Sequence, residues 1–175
     1  VVTVRFNVAQ LLKSAVGTSR QYDLDEDITA IDADVDVVEP LVGKVRFLRT
    51  SDGILVTGRV HSGVRVACRR CLQSFTLPVD IDLEEQFHPS VDINTGAALP
   101  VDADEDALTR IDLRHMLDLT EVVRQNLLLA LPINPLCSPQ CRGLCPNCGA
   151  DMNSESCTCR SEEGDPRLEV LGQLL

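Results

Sequence analysis

Apolar positions near the start of the chain recur at helical spacing. Val8, Leu11, Leu12 and Ala15 share one face, Asn7 with Gln10 has the form of a capping box, and Gly17 is a stop signal. Residues 20–27 are polar and read as extended. From Val35 to Phe87 the period shortens to that of strands. VVEPLVGKVRFL, GILVTGRV, GVRVACRRC and FTLPVDIDLEEQF are β-rich and partly alternating, and Thr50-Ser51-Asp52-Gly53 and His61-Ser62-Gly63 are turn signals between them. The pattern predicts an antiparallel β-meander of three or four strands, open or curled into a small barrel. Residues 88–106 read as an acidic, mobile loop and IDL at 111–113 as a short strand. Asp118 with Glu121 then caps a helix carrying Leu119, Val122, Val123, Leu127 and Ala130 on one face, ended by Pro132 and suited to cover the meander. The last segment, DPRLEVLGQLL, predicts a short C-terminal helix with Asp165 as N-cap, Pro166 at the first helical position and a stripe of Leu168, Leu171, Leu174 and Leu175. The expected class is α+β: a core domain over 1–131 with covering helices, and a cysteine-rich tail over 132–175.

Composition narrows the picture. Of 175 residues 44% are hydrophobic, but only 3% are aromatic and none is Trp, so the core must be aliphatic. A net charge of -11 argues against a general nucleic-acid binder, which needs clustered Lys and Arg to neutralise phosphate. A local basic face remains compatible with it, as does a basic protein partner. No apolar run reaches the length of a membrane span, and the start of the chain lacks the signal-peptide pattern. The expected compartment is therefore cytoplasmic, or an equivalent such as a plastid stroma. Thiols there stay reduced, so clustered cysteines read first as metal ligands.

Eight cysteines carry most of the chemical information. Cys68 and Cys71 form a tight pair; Cys137, Cys141, Cys145, Cys148, Cys157 and Cys159 crowd one window. Cys145-Pro-Asn-Cys148-Gly149 has the form of a zinc knuckle. Two intervening residues let both sulfurs reach one tetrahedral ion at about 2.3 Å, and Gly149 suits the tight turn that follows. Two further ligands are needed, and Cys137 with Cys141, Cys157 with Cys159, or Cys68 with Cys71 can supply them. Eight thiols would fill two sites of four; six would leave two spare. Residues 132–166 hold few large apolar side chains, too few to offset an ordering entropy of roughly 1–2 kcal/mol per residue. A structural Zn(2+), contributing on the order of 10–16 kcal/mol, would go far toward ordering the segment.

Other readings of the cysteines are weaker. A disulfide-stapled module lacks a secretion signal. A redox dithiol at Cys68 and Cys71 lacks the βαβ context, although Arg69 and Arg70 would lower a thiol pKa. An iron–sulfur cluster matches no ferredoxin spacing. Acids are absent between Gly53 and Val79, around Arg59, Arg65, Arg69 and Arg70, and from Leu131 to Ala150, around Arg142. Arg65, Arg69, Arg70 and Arg142 are therefore candidates for binding RNA or a partner; the same arginines would also compensate thiolate charge. Asp32, Asp34 and Asp36 begin like a calcium loop, but Val37 stands where Gly is required and Gly43 where the bidentate Glu belongs. The triad Asp102, Asp104 and Asp106 fails likewise. His61, His88 and His115 are isolated, and no phosphate loop or nucleophile elbow occurs. No catalytic residue and no small-molecule substrate is expected.

Taken in order, VACRRCLQSF, LDLTEVVRQNLLLALP, CSPQCRGLCPNCGADMNSESCTC and DPRLEVLGQLL resemble the YceD family, the large ribosomal RNA subunit accumulation proteins. The resemblance implies a bacterial or plastid protein, not an enzyme, that supports large-subunit ribosomal RNA accumulation and ribosome assembly. Its implied partners are a precursor of the large ribosomal subunit, ribosomal RNA or a basic ribosomal protein. The family includes cysteine-poor members, which implies a structural role for the metal. A thiol redox protein using Cys68 and Cys71, and a zinc-ribbon adaptor for a protein partner, are the alternatives.

Overall fold

The computed structural model describes residues 3–100 and 107–159. The expected C-terminal helix from Asp165 and the acidic stretch Asp102–Asp106 lie outside the described residues. The chain divides into two compact units, Val1–Val66 with Phe75–Ile133, and Ala67–Ser74 with Asn134–Leu175. The second unit is thus discontinuous in sequence and takes in the Cys68–Cys71 turn as well as the tail.

The first unit is mostly β-sheet. Its elements in chain order are β1 (Arg5–Asn7), α1 (Ala9–Leu12), β2 (Ser19–Glu26), β3 (Asp36–Val37), β4 (Leu41–Arg49), β5 (Ile54–Ala67), β6 (Ser74–Pro89), β7 (Arg110–Ile111), β8 (Met116–Asp118) and α2 (Thr120–Ala130). The main sheet runs β2-β4-β5-β6-β7, with β3 also paired to β5, and β1 pairs separately with β8. The sheet is open. Closure into a barrel would need β2 to meet β7, but β7 is two residues long and pairs with β6 in parallel. The polar stretch read as extended is β2, antiparallel to β4 from Ser19↔Leu48 to Glu26↔Leu41.

The expected turn at His61-Ser62-Gly63 is not formed; β5 runs straight through it. Ile54, Val56, Val60, Ser62 and Val64 are all buried and all even-numbered, so one face stays inward along the strand. A turn would have had to interrupt that parity. The break falls instead on the partner edge, where β3 and β4 are separated by the segment containing Pro40. Gly63 accepts there from the amides of Val38 and Glu39, and Ser62 Oγ donates to the Glu39 carbonyl at 2.8 Å. A Cβ on Gly63 would stand 2.5 Å from the Glu39 carboxylate carbon, so a larger residue there would require the Glu39 side chain to shift.

Both expected capping boxes form only in part. Asn7 Oδ1 accepts from Ala9 N–H, but Gln10 is taken by Arg20, and α1 ends at Leu12 with Ala15 exposed. Asp118 Oδ1 accepts from Thr120 N–H, while Glu121 pairs with Arg124, which also reaches Asp32 at 2.8 Å. Gln10 thus accepts from Arg20, and Glu121 from Arg124 and Gln125. Helix α2 buries Val122, Val123 and Leu127 and stops before Pro132, as its pattern predicts, but Ala130, expected on the same face, is exposed.

The core is aliphatic around a small aromatic group. Phe6, Tyr22 and Phe47 sit with ring centroids 4.9–5.1 Å apart. Val45, Ile54, Val60, Ile81, Phe87, Leu117 and Leu127 fill the remainder. Each such side chain contributes about 1.5–3 kcal/mol by leaving water. No described helix is long and apolar enough to cross a membrane.

Candidate metal centre

Among its described residues the second unit has little regular structure and is organised by two turns of one design. In the first, between β5 and β6, Cys68 N–H donates to the Gln73 carbonyl and Leu72 N–H to the Cys68 carbonyl, both at 2.9 Å. In the second, Cys145 N–H donates to the Ala150 carbonyl at 2.8 Å and Gly149 N–H to the Cys145 carbonyl at 2.9 Å. The residue after the second cysteine is left-handed in each: Leu72 has φ 61° and Gly149 φ 75°. A Cys-x-x-Cys turn of this kind leaves both sulfurs on one side, with backbone amides near the first.

Each turn is completed by a different downstream pair. The sulfurs of Cys68, Cys71, Cys137 and Cys141 lie within 4.8 Å of one another, and so do those of Cys145, Cys148, Cys157 and Cys159. Of the groupings left open by the spacing, the structure therefore assembles two quartets. Four sulfurs at about 2.3 Å from one tetrahedral ion stand roughly 3.8 Å apart. Cys68 Sγ and Cys141 Sγ are 3.8 Å apart, and Cys71 Sγ and Cys137 Sγ 3.6 Å. A disulfide requires about 2.05 Å, and all eight thiols are free. The first quartet thus fits an ion of zinc's size and ligand preference, and the second offers the same donor set.

The electrostatics of the two quartets run in parallel. Backbone amides of Cys137, Cys71 and Arg70 hold the Cys68 thiol down to about 6. Those of Cys148 and Asn147 do the same for Cys145, also about 6. Neighbouring thiols push Cys137, chiefly through Cys71, and Cys159, chiefly through Cys148, both up to about 12. Cys157 rises mainly through Cys145. Cys71 is pulled down by the Gln73 amide but raised on balance by burial and Cys68. Each quartet alone therefore favours one thiolate and resists the next. A divalent cation reverses that resistance, because it favours deprotonation of every sulfur it binds.

Neighbouring groups fix the first quartet. Arg70 Nη1 donates to the Cys141 carbonyl at 2.8 Å, Arg69 N–H to the Pro135 carbonyl, and Leu144 N–H to the Arg70 carbonyl. Asn153 Nδ2 donates to Cys141 Sγ at 3.5 Å, while its Oδ1 accepts from Arg142 N–H at 2.8 Å. Gly143, at φ 75°, passes close under Arg70; a Cβ there would meet the Arg70 carbonyl oxygen at 3.0 Å. Asn153 and Gly143 were not singled out from the sequence. The only local signal was the Asp151-Met152-Asn153 turn, in which Asp151 Oδ1 accepts from Asn153 N–H.

The four candidate arginines separate. Arg65 lies in the first unit and is paired with Asp36 at 3.2 Å. Arg69, Arg70 and Arg142 lie in the second. Arg70 holds Cys141. Among the described residues neither Arg69 nor Arg142 has a carboxylate partner, although both are exposed. In the first unit Arg5, Arg59, Arg65 and Arg124 each face an acid, while Arg46 and Arg114 are exposed with no carboxylate partner among the described residues.

The sequence model of the family described as "Large ribosomal RNA subunit accumulation protein YceD" matches residues 56–175, a stretch that includes all eight cysteines. An uncharacterized protein of Mycobacterium tuberculosis is 34% identical over 132 residues, 75% of this chain and 60% of the relative. The chain thus spans 60% of the length of that mycobacterial relative. The chloroplastic "Large ribosomal RNA subunit accumulation protein YCED homolog 1" of Zea mays is 27% identical over 144 residues, 69% of this chain and 49% of the relative. The uncharacterized protein YlbN of Bacillus subtilis is 25% identical over 173 residues, 97% of this chain and 94% of the relative. No solved structure matches the chain.

Proposed function

The chain belongs to the YceD family, and from that premise we propose that it supports accumulation of large-subunit ribosomal RNA as a non-enzymatic assembly factor. It acts in the cytoplasm by binding a precursor of the large ribosomal subunit, and its contact is with ribosomal RNA. The observation that carries this reading is the family match over 56–175, which includes both cysteine quartets. Each quartet holds one Zn(2+): Cys68, Cys71, Cys137 and Cys141 in one, Cys145, Cys148, Cys157 and Cys159 in the other. The metal supplies structural cohesion to a unit whose described residues include few buried apolar side chains, and no chemical step is assigned to it.

Arg69 and Arg142 are the contacts to phosphate. Among the described residues neither has a carboxylate partner, which leaves each available to displace a counterion from RNA. Arg65, already paired with Asp36, contributes less. The excess of acid elsewhere keeps the protein from coating RNA indiscriminately, which suits a factor that must leave its particle. A redox role for Cys68 and Cys71 is disfavoured by the company they keep: each has a further sulfur at 3.6–3.8 Å, from Cys137 and Cys141.

Sucrose-gradient sedimentation of a lysate tests the reading. The protein is expected with precursors of the large subunit, and its depletion is expected to lower large-subunit ribosomal RNA relative to small-subunit RNA. Arg69→Ala with Arg142→Ala should release it from those fractions, while Arg59→Ala, whose guanidinium is held by Asp82, should not. Migration wholly with free protein, together with unchanged ribosomal RNA on depletion, overturns the assignment.

A further inference from the structure

The two quartets share donors and turn geometry but not their surroundings. In the first, Cys68, Cys71 and Cys141 are 0%, 4% and 2% exposed, and only Cys137 is open to solvent. In the second, only Cys145 is buried; Cys148 and Cys159 are exposed and Cys157 is half-buried. A cavity of about 370 Å³ opens on the second quartet, lined by Cys145, Cys157 and Cys159 together with Met152 and Arg142. The thioether of Met152 stands 3.7 Å from Cys157 Sγ, a fifth soft donor at the edge of the set.

The two quartets are also held together differently. The first joins chain segments far apart in sequence, and Arg70 and Asn153 hold its Cys141 from outside the ligand set. The second is drawn from one continuous stretch, Cys145 to Cys159, and ends in Cys157-Thr158-Cys159.

A tetrahedral thiolate site gives up its ion through an incoming ligand that expands the coordination sphere, so access to the ion decides the rate. Buried sulfurs shield one quartet, and a cavity with a spare thioether exposes the other. We propose that the second quartet is an exchangeable site for zinc and other thiophilic d10 ions such as Cd(2+), while the first retains its ion for the life of the fold. This rests on the zinc reading given above. The protein then carries one ion that maintains structure and one whose occupancy follows the surrounding supply of metal. Arg142, proposed above as a phosphate contact, lines the cavity beside the exchangeable ion.

The test is metal release from the zinc-loaded full chain into excess chelator, read with a metallochromic dye. Half of the zinc is expected to leave faster than the remainder by about tenfold or more. A chain carrying Cys157→Ser and Cys159→Ser is expected to lose the fast half and keep the slow half, with the circular dichroism of the strands unchanged. Cadmium added in small excess should likewise displace one zinc promptly and the second slowly. Release of both ions in a single phase overturns the proposal, as does loss of the slow half in the double variant. A chain that binds no zinc overturns the earlier reading as well; two ions released together overturn only this one.

Discussion

Removing metal from the first quartet should destabilise the first unit, although none of its ligands lies there. Cys71 and Cys137 are 66 positions apart, and the chain between them contains β6, β7, β8 and α2. Folding of the first unit brings the two ends of that segment to fixed positions, and a metal joining Cys71 to Cys137 does the same from outside. Each therefore favours the other. The chain-entropy treatment of a cross-link closing a loop of that size gives about 4 kcal/mol at 25 °C, an upper value because the denatured chain retains some order. With a urea dependence of about 2 kcal/mol per molar, the unfolding midpoint should fall by up to about 2 M when zinc is stripped.

Tyr22 is a clean reporter of this transition. It is the single tyrosine in a chain without tryptophan, and it packs on Phe6 and Phe47 within the first unit. Its emission through a urea titration should shift to lower midpoint on chelation and in Cys141→Ser. It should shift little in Cys157→Ser with Cys159→Ser, because the second quartet encloses no part of the first unit. Equal midpoints with and without zinc would refute the coupling, as would an equal fall in the double variant.

Two further outcomes can be checked alongside. Gly143→Ala places a Cβ at 3.0 Å from the Arg70 carbonyl in a left-handed backbone, so it should cost about 1–3 kcal/mol and loosen the first zinc roughly tenfold or more in a chelator competition. Acid should weaken the first unit in the metal-free chain. The Asp34 amide, and then Arg124, hold Asp32 below the usual carboxylate range, and hydrogen bonds from Thr120 and Arg5 hold Asp118 below it against the opposing effect of burial. A depressed carboxylate stabilises the fold above its unfolded pKa and ceases to do so as pH falls through its folded value. The Tyr22 midpoint should therefore be level above about pH 5 and decline below about pH 4, with a shallower decline in Asp32→Asn.

The strands were legible because burial writes a period of two, and it does so most plainly in β6, where Val79, Ile81, Leu83 and Phe87 alternate with acids and polar residues. The same rule corrects the error at His61-Ser62-Gly63. Turn-forming residues suggested a break, but even-numbered positions stay apolar or buried on both sides, and parity is a stronger constraint than local turn preference. What the sequence could not convey is where the partner edge fails. At the gap between β3 and β4, Val38 and Glu39 meet Gly63 across the sheet, a contact between residues with no local signature. The open ends of the sheet escaped for a similar reason, since a two-residue β7 is too short to carry a period.

The metal centre divides along the same line. Cys145-Pro-Asn-Cys148-Gly149 was readable because glycine marks the left-handed residue that ends the turn. Cys68-Arg69-Arg70-Cys71-Leu72 makes the same hydrogen bonds with leucine in that place, at φ 61° and 66% exposed. A left-handed leucine costs roughly 1–2 kcal/mol and has no propensity that would advertise it. It persists because the ladder on either side, Cys68 to Gln73 and then β6, fixes the backbone, and because a bound ion would hold Cys71 from the other direction. The strain at Leu72 therefore argues for occupancy of the first quartet: a turn that is locally unfavourable and lacks glycine is most readily maintained where the sulfurs it presents are tied to a third party.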